Sequence, residues 1–539
     1  ILLALMLSLP RMGVNEVQEA TCRWEGDNGP DWAIPGNWSC GNVPVSGDDV
    51  IIPNLDVDPT INALTTGVDV NSISIETDAV LTVNATQNSL TIYTSSSFTN
   101  DGDIVINGQN PGASGLSINS PTFSNNGSVT INAGYLSLIR GGSHSGDFVG
   151  EPGTVLSFSN QWTNQTWDFT ADSLIQVPII LLSSSGSTVN ISGEFSPGLV
   201  LDNESYLTIQ SNTTLNLNTV NILMPVEVQT YGTLNLPNIA LDIQDLEVGI
   251  GGQLQNTQTL NIINSLELKG GILMGAGDVI VPSTASLLSN RGNSTISGKT
   301  LRSSTTVNWI LGSITLSNGA VFENNGTFTA NGTISVPSNT MTGTSPASFI
   351  NNGEFIKDTA DTITTMNIPF INNGSIKVAA GELIFPQGIE NGTDVAFDLG
   401  DGTLDPGDTL TLAEGDSLVG SGMLSANLVN DGTVSPGASP GIIFVDGDYT
   451  QQANGVLEIE LGGTNAGSGF DQVDVNGAAT LDGVLNVSLL DDFRPEAGNE
   501  FLILPYTSRS GEFTSLNLPE EYNWELEYGI SGLTLIRLP

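Results

Sequence analysis

Basic side chains are scarce. Twelve lysines and arginines stand against 57 acids in 539 residues, a formal net charge of −45. A protein that tracks a phosphate backbone gathers lysine and arginine along one face. Nucleic acid is therefore excluded as a main partner, and an anionic membrane surface is disfavoured on the same ground. Histidine and cysteine are almost missing too: His144, Cys22 and Cys40 are the full set. A closed zinc site wants four ligands, and His144 lies far from both cysteines. Amphipathic helical patterning is nearly absent, and so are long apolar runs. Residues 1–10 (ILLALMLSLP) are too few for a bilayer span, which takes about 20. They suit the apolar region of a secretory signal peptide within residues 1–20, without its initiator Met and basic segment and with cleavage near Ala20; a buried N-terminal strand or helix is the alternative. With 13% charged and 39% hydrophobic residues, the chain is not of the charge-rich disordered class.

What is abundant is glycine, 62 residues without a Gly-X-Y period, among short alternating runs. Ser72-Ile73-Ser74-Ile75, Val80-Leu81-Thr82-Val83 and Leu457-Glu458-Ile459-Glu460-Leu461 are examples. Period-two alternation bounded by Gly, Asn, Asp, Ser and Thr is the signature of strands and turns, so the chain is expected to be all-β. A repeat organises it. Phe98-Thr99-Asn100-Asp101-Gly102 returns as Phe123-Ser124-Asn125-Asn126-Gly127, Phe322-Glu323-Asn324-Asn325-Gly326, Phe349-Ile350-Asn351-Asn352-Gly353 and Phe370-Ile371-Asn372-Asn373-Gly374. Leu428-Val429-Asn430-Asp431-Gly432 is a further copy and Ile389-Glu390-Asn391-Gly392 a shortened one. Gly102 and Gly127 are 25 residues apart, Gly326 and Gly353 27, Gly353 and Gly374 21, and Gly374 and Gly392 18. That is one coil of a β-solenoid. The expectation is an elongated parallel β-solenoid, or β-helix. Inward apolar residues form its core, Asn side chains ladder along the axis, and Asn and Gly take left-handed corners. A series of β-sandwich domains is the alternative.

Several stretches resemble the secreted or surface-exposed β-solenoid proteins of bacteria, the autotransporter-passenger and hemagglutinin-like adhesin group. Trp24-Glu25-Gly26, Trp32, Asn37-Trp38-Ser39 and Gly47-Asp48-Asp49-Val50-Ile51-Ile52-Pro53 are similar to the tryptophan-rich opening before the first coils of such chains. Gly134-Tyr135-Leu136-Ser137-Leu138 and Thr306-Val307-Asn308-Trp309 resemble recurring coils, and Gly432-Thr433-Val434-Ser435-Pro436-Gly437 with Val475-Asn476-Gly477-Ala478 resembles the last ones. The resemblance implies export and this fold, and little about activity. No amphipathic membrane-barrel segment or sorting tail follows the coils before Pro539, so release, assisted secretion or a longer reading frame is expected. The organisation expected is a signal-peptide remnant at 1–20, a Trp-rich disulfide-linked cap at 21–53, solenoid repeats at 54–460, and final coils with a C-terminal β cap at 461–539.

Cys22 and Cys40 are expected to form one disulfide, with two buried free thiols as the alternative. His144 has no acid nearby except Asp147 and is expected to face solvent rather than act as a base. Asp398, Asp401, Asp405 and Asp408 fall in a Gly-rich turn region and are calcium candidates, since flexible carboxylates are what calcium takes; solvated turn acids are the alternative, as for Asp48 and Asp49. No other cofactor is expected. Trp24, Trp32 and Trp38 would cap the first coil or form a sugar-stacking platform, the cap being favoured. Sequons at Asn37, Asn84, Asn126, Asn190 and Asn325 reflect corner composition and do not support glycosylation. A polysaccharide lyase needs a cation cluster, but Arg140, Lys269, Arg291, Lys299, Arg302, Lys357 and Lys377 are dispersed along the chain. The reading is a secreted, extracellular or bacterial cell-surface solenoid, not an enzyme, with an adhesive or structural role toward cell-surface glycans or neighbouring cells. A surface-layer or filament subunit and a polysaccharide-active β-helix enzyme are the alternatives.

Overall fold

The computed structural model describes residues 20–62, 67–85, 89–109, 114–159, 164–183, 186–195, 206–218, 222–285, 287–332, 338–437 and 440–539. The signal-peptide expectation lies, but for Ala20, outside them. The chain divides into two compact units, residues 1–205 and 206–539. Each is a parallel β-solenoid rather than a set of sandwiches.

In the first unit one ladder runs from Thr21–Arg23 through Asp49–Ile52 and Val68–Ile75 to Leu90–Asn100. It continues through Phe123–Asn125, Gly142–His144, Thr166–Phe169 and Thr188–Ile191. A second joins Thr60–Asn62, Val80–Asn84, Asp103–Asn107, Ser128–Ala133, Asp147–Gly150, Leu174–Gln176 and Glu194–Phe195. A third branches off Leu90–Asn100 into Gly115–Asn119, Tyr135–Leu138, Val155–Ser159 and Ile179–Ser183. Each coil thus lays one strand on each of three faces.

The second unit repeats the plan. Long strands such as Glu354–Asn367 and Ser375–Ile384 turn a corner, so that Glu354–Asn367 pairs with both Thr327–Ala330 and Ser338–Gly343 of the coil before it. One face runs from Val279–Val281 through Thr300–Ser303, Val321–Asn324, Ser348–Asn351 and Phe370–Asn372 to Ile389–Asn391. There its ladder stops, and a separate five-stranded sheet begins with Leu410–Leu412. An antiparallel sheet of Glu500–Pro505, Gly532–Arg537 and Trp524–Tyr528 closes the unit.

The alternation explains the core. In Val456–Leu461 the side chains of Leu457, Ile459 and Leu461 are buried while Glu458 is exposed. Phe322, Phe349 and Phe370 are register partners whose rings stack at 5.2 and 5.0 Å, and Phe328 stacks on Phe355 at 5.1 Å. Burying a Phe side chain contributes about 1.5–3 kcal/mol, so such columns bind each coil to the next.

The corner motif has a mechanism that differs in part from the expectation. The first Asn points inward: Asn324, Asn351 and Asn372 are fully buried, with Nδ2 to Oδ1 bonds of 2.8 and 2.9 Å between coils. The second hydrogen of Asn351 Nδ2 goes to the Ser375 carbonyl at 3.0 Å, and that of Asn324 to the Glu354 carbonyl at 3.1 Å. The second Asn makes an outer ladder, Asn373 to Asn352 and Asn352 to Asn325, both at 2.8 Å. The glycine is not there for a left-handed backbone. Gly127, Gly353 and Gly374 are absent from the positive-φ residues. A Cβ on them would stand 1.9–2.1 Å from the carbonyl oxygen of the glycine one coil below, so hydrogen is the only substituent that fits. Left-handed corners do occur elsewhere, at Asn212, Asn318 and Gly270 among others.

Candidate functional site

The N-terminal end is built on tryptophan. Trp24, Trp32 and Trp38 are at most 2% exposed and pack edge to face at 5.0 and 4.6 Å. Trp24 Nε1 donates to the Val57 carbonyl at 2.7 Å and Trp38 Nε1 to the Trp32 carbonyl at 2.9 Å. Rings this deeply buried offer no face to a sugar. Cys22 and Cys40 form a disulfide beside them, and Asp48 accepts from the Ala20 and Val45 amides at 3.2 and 2.9 Å.

His144 corrects the expectation of a solvent-facing residue, for it is completely buried. Its register partner is Asn125, so Gly142-Ser143-His144-Ser145-Gly146 is a degenerate copy of the corner motif with histidine in the inner Asn position. The ring packs against Phe123, Phe148 and Phe169, centroids 5.3, 5.4 and 4.7 Å away. Nδ1 accepts from the Asn125 amide at 3.4 Å, and Nε2 has no partner. Desolvation pushes its pKa down to about 3. A neutral imidazole in an aromatic cage is a core residue.

The cations meet acids on neighbouring coils. Glu227, Glu247 and Glu267 are successive register partners on the outer surface. Lys269 bridges Glu247 at 2.8 Å and Glu267 at 3.2 Å, with Arg291 on Glu267 at 3.3 Å. The hydrogen bond to Glu247 holds the Lys269 pKa above its ordinary value. Arg302 bridges Asp278 and Glu323, and Lys377 reaches Asp398 at 2.6 Å. Lys299 and Lys357 are inside: Lys299 donates to Asn256 Oδ1, and Lys357 to the Thr359 carbonyl at 2.7 Å and Thr362 Oγ1 at 2.6 Å. Burial lowers both amines to about 8. Sequence reading could not separate these two from the surface lysines, because their burial is set by position in a coil. Asp471, also unforeseen, is buried, accepts from the Gly441 and Glu460 amides at 2.7 and 2.9 Å, and is raised to about 6 by desolvation.

Three of the four turn aspartates serve the backbone with their carboxylates, and Asp401 donates its own amide to the Ala379 carbonyl at 3.2 Å. Asp398 accepts from the Gly400 amide at 2.9 Å besides Lys377, Asp405 from Gly407 at 2.9 Å and Asp408 from Thr409 at 2.7 Å. Among the described residues, no group of three or more His, Cys, Asp or Glu side chains is placed to hold a metal ion. Nor does any helix there have the length and apolarity to cross a membrane, which says nothing of a β-barrel.

Residues 23–136 match a family model described as a domain of unknown function (DUF8693). No curated protein matches the chain. Among solved structures, the chain is similar to the Haemophilus influenzae Hap adhesin, at 12% identity and a TM-score of 0.29 over 89% of this chain. The match spans 64% of that protein's chain. The fold stands on the ladders described above.

Proposed function

We propose that the protein is an extracellular or cell-surface solenoid whose lateral faces make adhesive contacts with glycans or neighbouring cells. One observation supports this most: the outward columns repeat the same chemistry from coil to coil. Glu227, Glu247 and Glu267 form one such column, and Asn325, Asn352 and Asn373 another. A surface of equivalent groups at strand spacing suits many weak contacts summed by multivalency. The Cys22–Cys40 disulfide fits an oxidising compartment, and the acid excess limits self-association. Beads coated with the purified protein, presented to cells and to a panel of immobilised oligosaccharides, test the reading. Retention that falls when protein density is reduced supports it, and no retention on any surface overturns it.

A further inference from the structure

The tryptophans turn inward, but one aromatic ring of the second unit is held out in solvent. Tyr231 is 59% exposed and Ile250 64%, and among the described large apolar side chains only Ile530 is more exposed. The two are neighbours, since the Tyr231 amide donates to the Ile250 carbonyl at 3.1 Å. They belong to one corner, where Asn212, Tyr231, Gly251 and Gly270 succeed one another coil by coil, each with a positive φ. The residues after the first three, Thr213, Gly232 and Gly252, accept from Thr233, Gln253 and Ile272 of the following coil at 2.8 Å each.

Tyrosine is the wrong residue for that backbone. A left-handed φ is a genuine outlier for a bulky side chain, and every other described non-glycine residue that adopts one is Asn or Asp. Space is nevertheless cleared for the ring. A Cβ on Gly251 would stand 2.6 Å from two ring carbons of Tyr231, and one on Gly270 would stand 3.5 Å from Ile250. Backbone strain and an apolar ring in water both oppose folding, so packing does not account for this tyrosine. Its surroundings are uncharged and ready to hydrogen-bond. Asn212 and Thr230 are exposed beside it, and the side chains of Asn212, Thr230 and Tyr231 have no hydrogen-bond partner among the described residues. Lys269, next to Gly270, is held by Glu247 and Glu267, and Arg291 by Glu267. Two apolar side chains are too few for a stable protein interface, which takes about 800 Å² per partner. Equivalent corners on neighbouring coils lie about 4.8 Å apart, close to the length of one sugar residue in an extended β-1,4-linked chain.

We propose that this corner binds a neutral, extended, β-linked oligosaccharide lying along the coil axis. The apolar CH face of one pyranose would stack on Tyr231 and the next ring would lie on Ile250. Rim hydroxyls, which both donate and accept, would meet Asn212 and Thr230. The assignment gives the adhesive reading a site and rests on that reading for its biological sense. Its test does not, because it uses the purified protein and soluble sugars. The probes are the β-1,4-linked glucose tetramer and the α-1,4-linked one, whose chain curls, each titrated and followed by saturation-transfer NMR. Saturable binding of the β-linked tetramer is expected, with the α-linked one weaker by about fivefold or more. Tyr231→Asn copies Asn212 and relieves the corner. In urea denaturation it should be at least as stable as the parent, yet bind the tetramer about tenfold more weakly for want of its aromatic anchor. Ile250→Ser should weaken binding about threefold. No saturable binding of the β-linked tetramer, equal binding of the two tetramers, or undiminished binding by Tyr231→Asn overturns the proposal. So does a Tyr231→Asn protein less stable than the parent, because the ring would then serve the fold. Cell retention that persists while the tetramer fails to bind would overturn this site alone, and the converse would overturn the adhesive reading alone.

Discussion

His144 offers the sharpest quantitative test of the coil packing. A histidine whose folded pKa is about 3 against about 6.5 in the unfolded chain binds fewer protons when folded. Its contribution is complete above pH 6.5 and is lost as pH falls toward 3. At pH 5 the unfolded chain gains about 1.5 units' worth of protonation, or about 2 kcal/mol at 1.36 kcal/mol per unit. His144→Phe removes the titration and keeps an aromatic ring among Phe123, Phe148 and Phe169. It also removes the unpartnered Nε2, a cost of about 1–3 kcal/mol, and the long bond from the Asn125 amide. The variant should be close to the parent at pH 8 and about 2 kcal/mol more stable than it at pH 5. Urea denaturation followed by circular dichroism at both pH values gives the difference. Because this is the only histidine, its imidazole proton resonance can be followed without assignment and should not titrate between pH 8 and pH 5 in the folded protein. Equal acid sensitivity of parent and variant, or a resonance titrating near 6.5, would refute the buried cage.

Three further outcomes follow from the corner and cap geometry. Asn351→Ala removes two donated bonds and takes the acceptor from one of the two Asn324 Nδ2 hydrogens, the other staying on the Glu354 carbonyl, so it should cost about 2–4 kcal/mol, while Asn352→Ala on the outer ladder should cost under about 1 kcal/mol; similar losses from the two would contradict the inner-outer division. Gly353→Ala places Cβ 2.0 Å from the Gly326 carbonyl oxygen and should cost about 2 kcal/mol or more. Gly388→Ala, with nothing within 4 Å but a φ of +82°, should cost only about 1 kcal/mol, and denaturation of the pair ranks them. Reducing Cys22–Cys40 reopens a loop with a sequence separation of 18 and should destabilise the cap by about 3 kcal/mol, visible as earlier exposure of the Trp24, Trp32 and Trp38 fluorophores on heating; unchanged melting of that signal would argue against it.

The solenoid was legible because its corner is written in sequence. An inner Asn, an outer Asn or Asp and a small residue must recur once per coil for the ladders to form, and Phe98, Phe123, Phe322, Phe349 and Phe370 mark the same inward position each time. His144 escaped because its copy replaces both the aromatic and the Asn, leaving only Gly146 at the 19-residue step from Gly127. The burial of that ring depends on Phe123 and Phe169 from the two neighbouring coils as well as Phe148 of its own, and no local pattern displays the first two. The reason for the glycines was misassigned for a similar cause: the crowding oxygen belongs to another coil, about 20 residues away. Lys299, Lys357 and Asp471 look like surface residues until the winding places them inside. The break in the ladder after Ile389–Asn391 is still less visible, because it arises where two successive strands do not pair, although the shortened motif at Ile389-Glu390-Asn391-Gly392 marks the spot.

The winding itself can be tested with one cross-link. Ile350 and Ile371 are register partners that point outward on adjacent coils, and register partners in neighbouring strands lie about 4.8 Å apart, within the Cα range of a disulfide. The double variant Ile350→Cys with Ile371→Cys should oxidise to an intramolecular disulfide found by non-reducing peptide mass spectrometry. Ile350→Cys with Asn372→Cys, whose second position faces the core, should stay reduced. Cross-linking of the second pair and not the first would mean that these segments are not successive turns of a parallel coil.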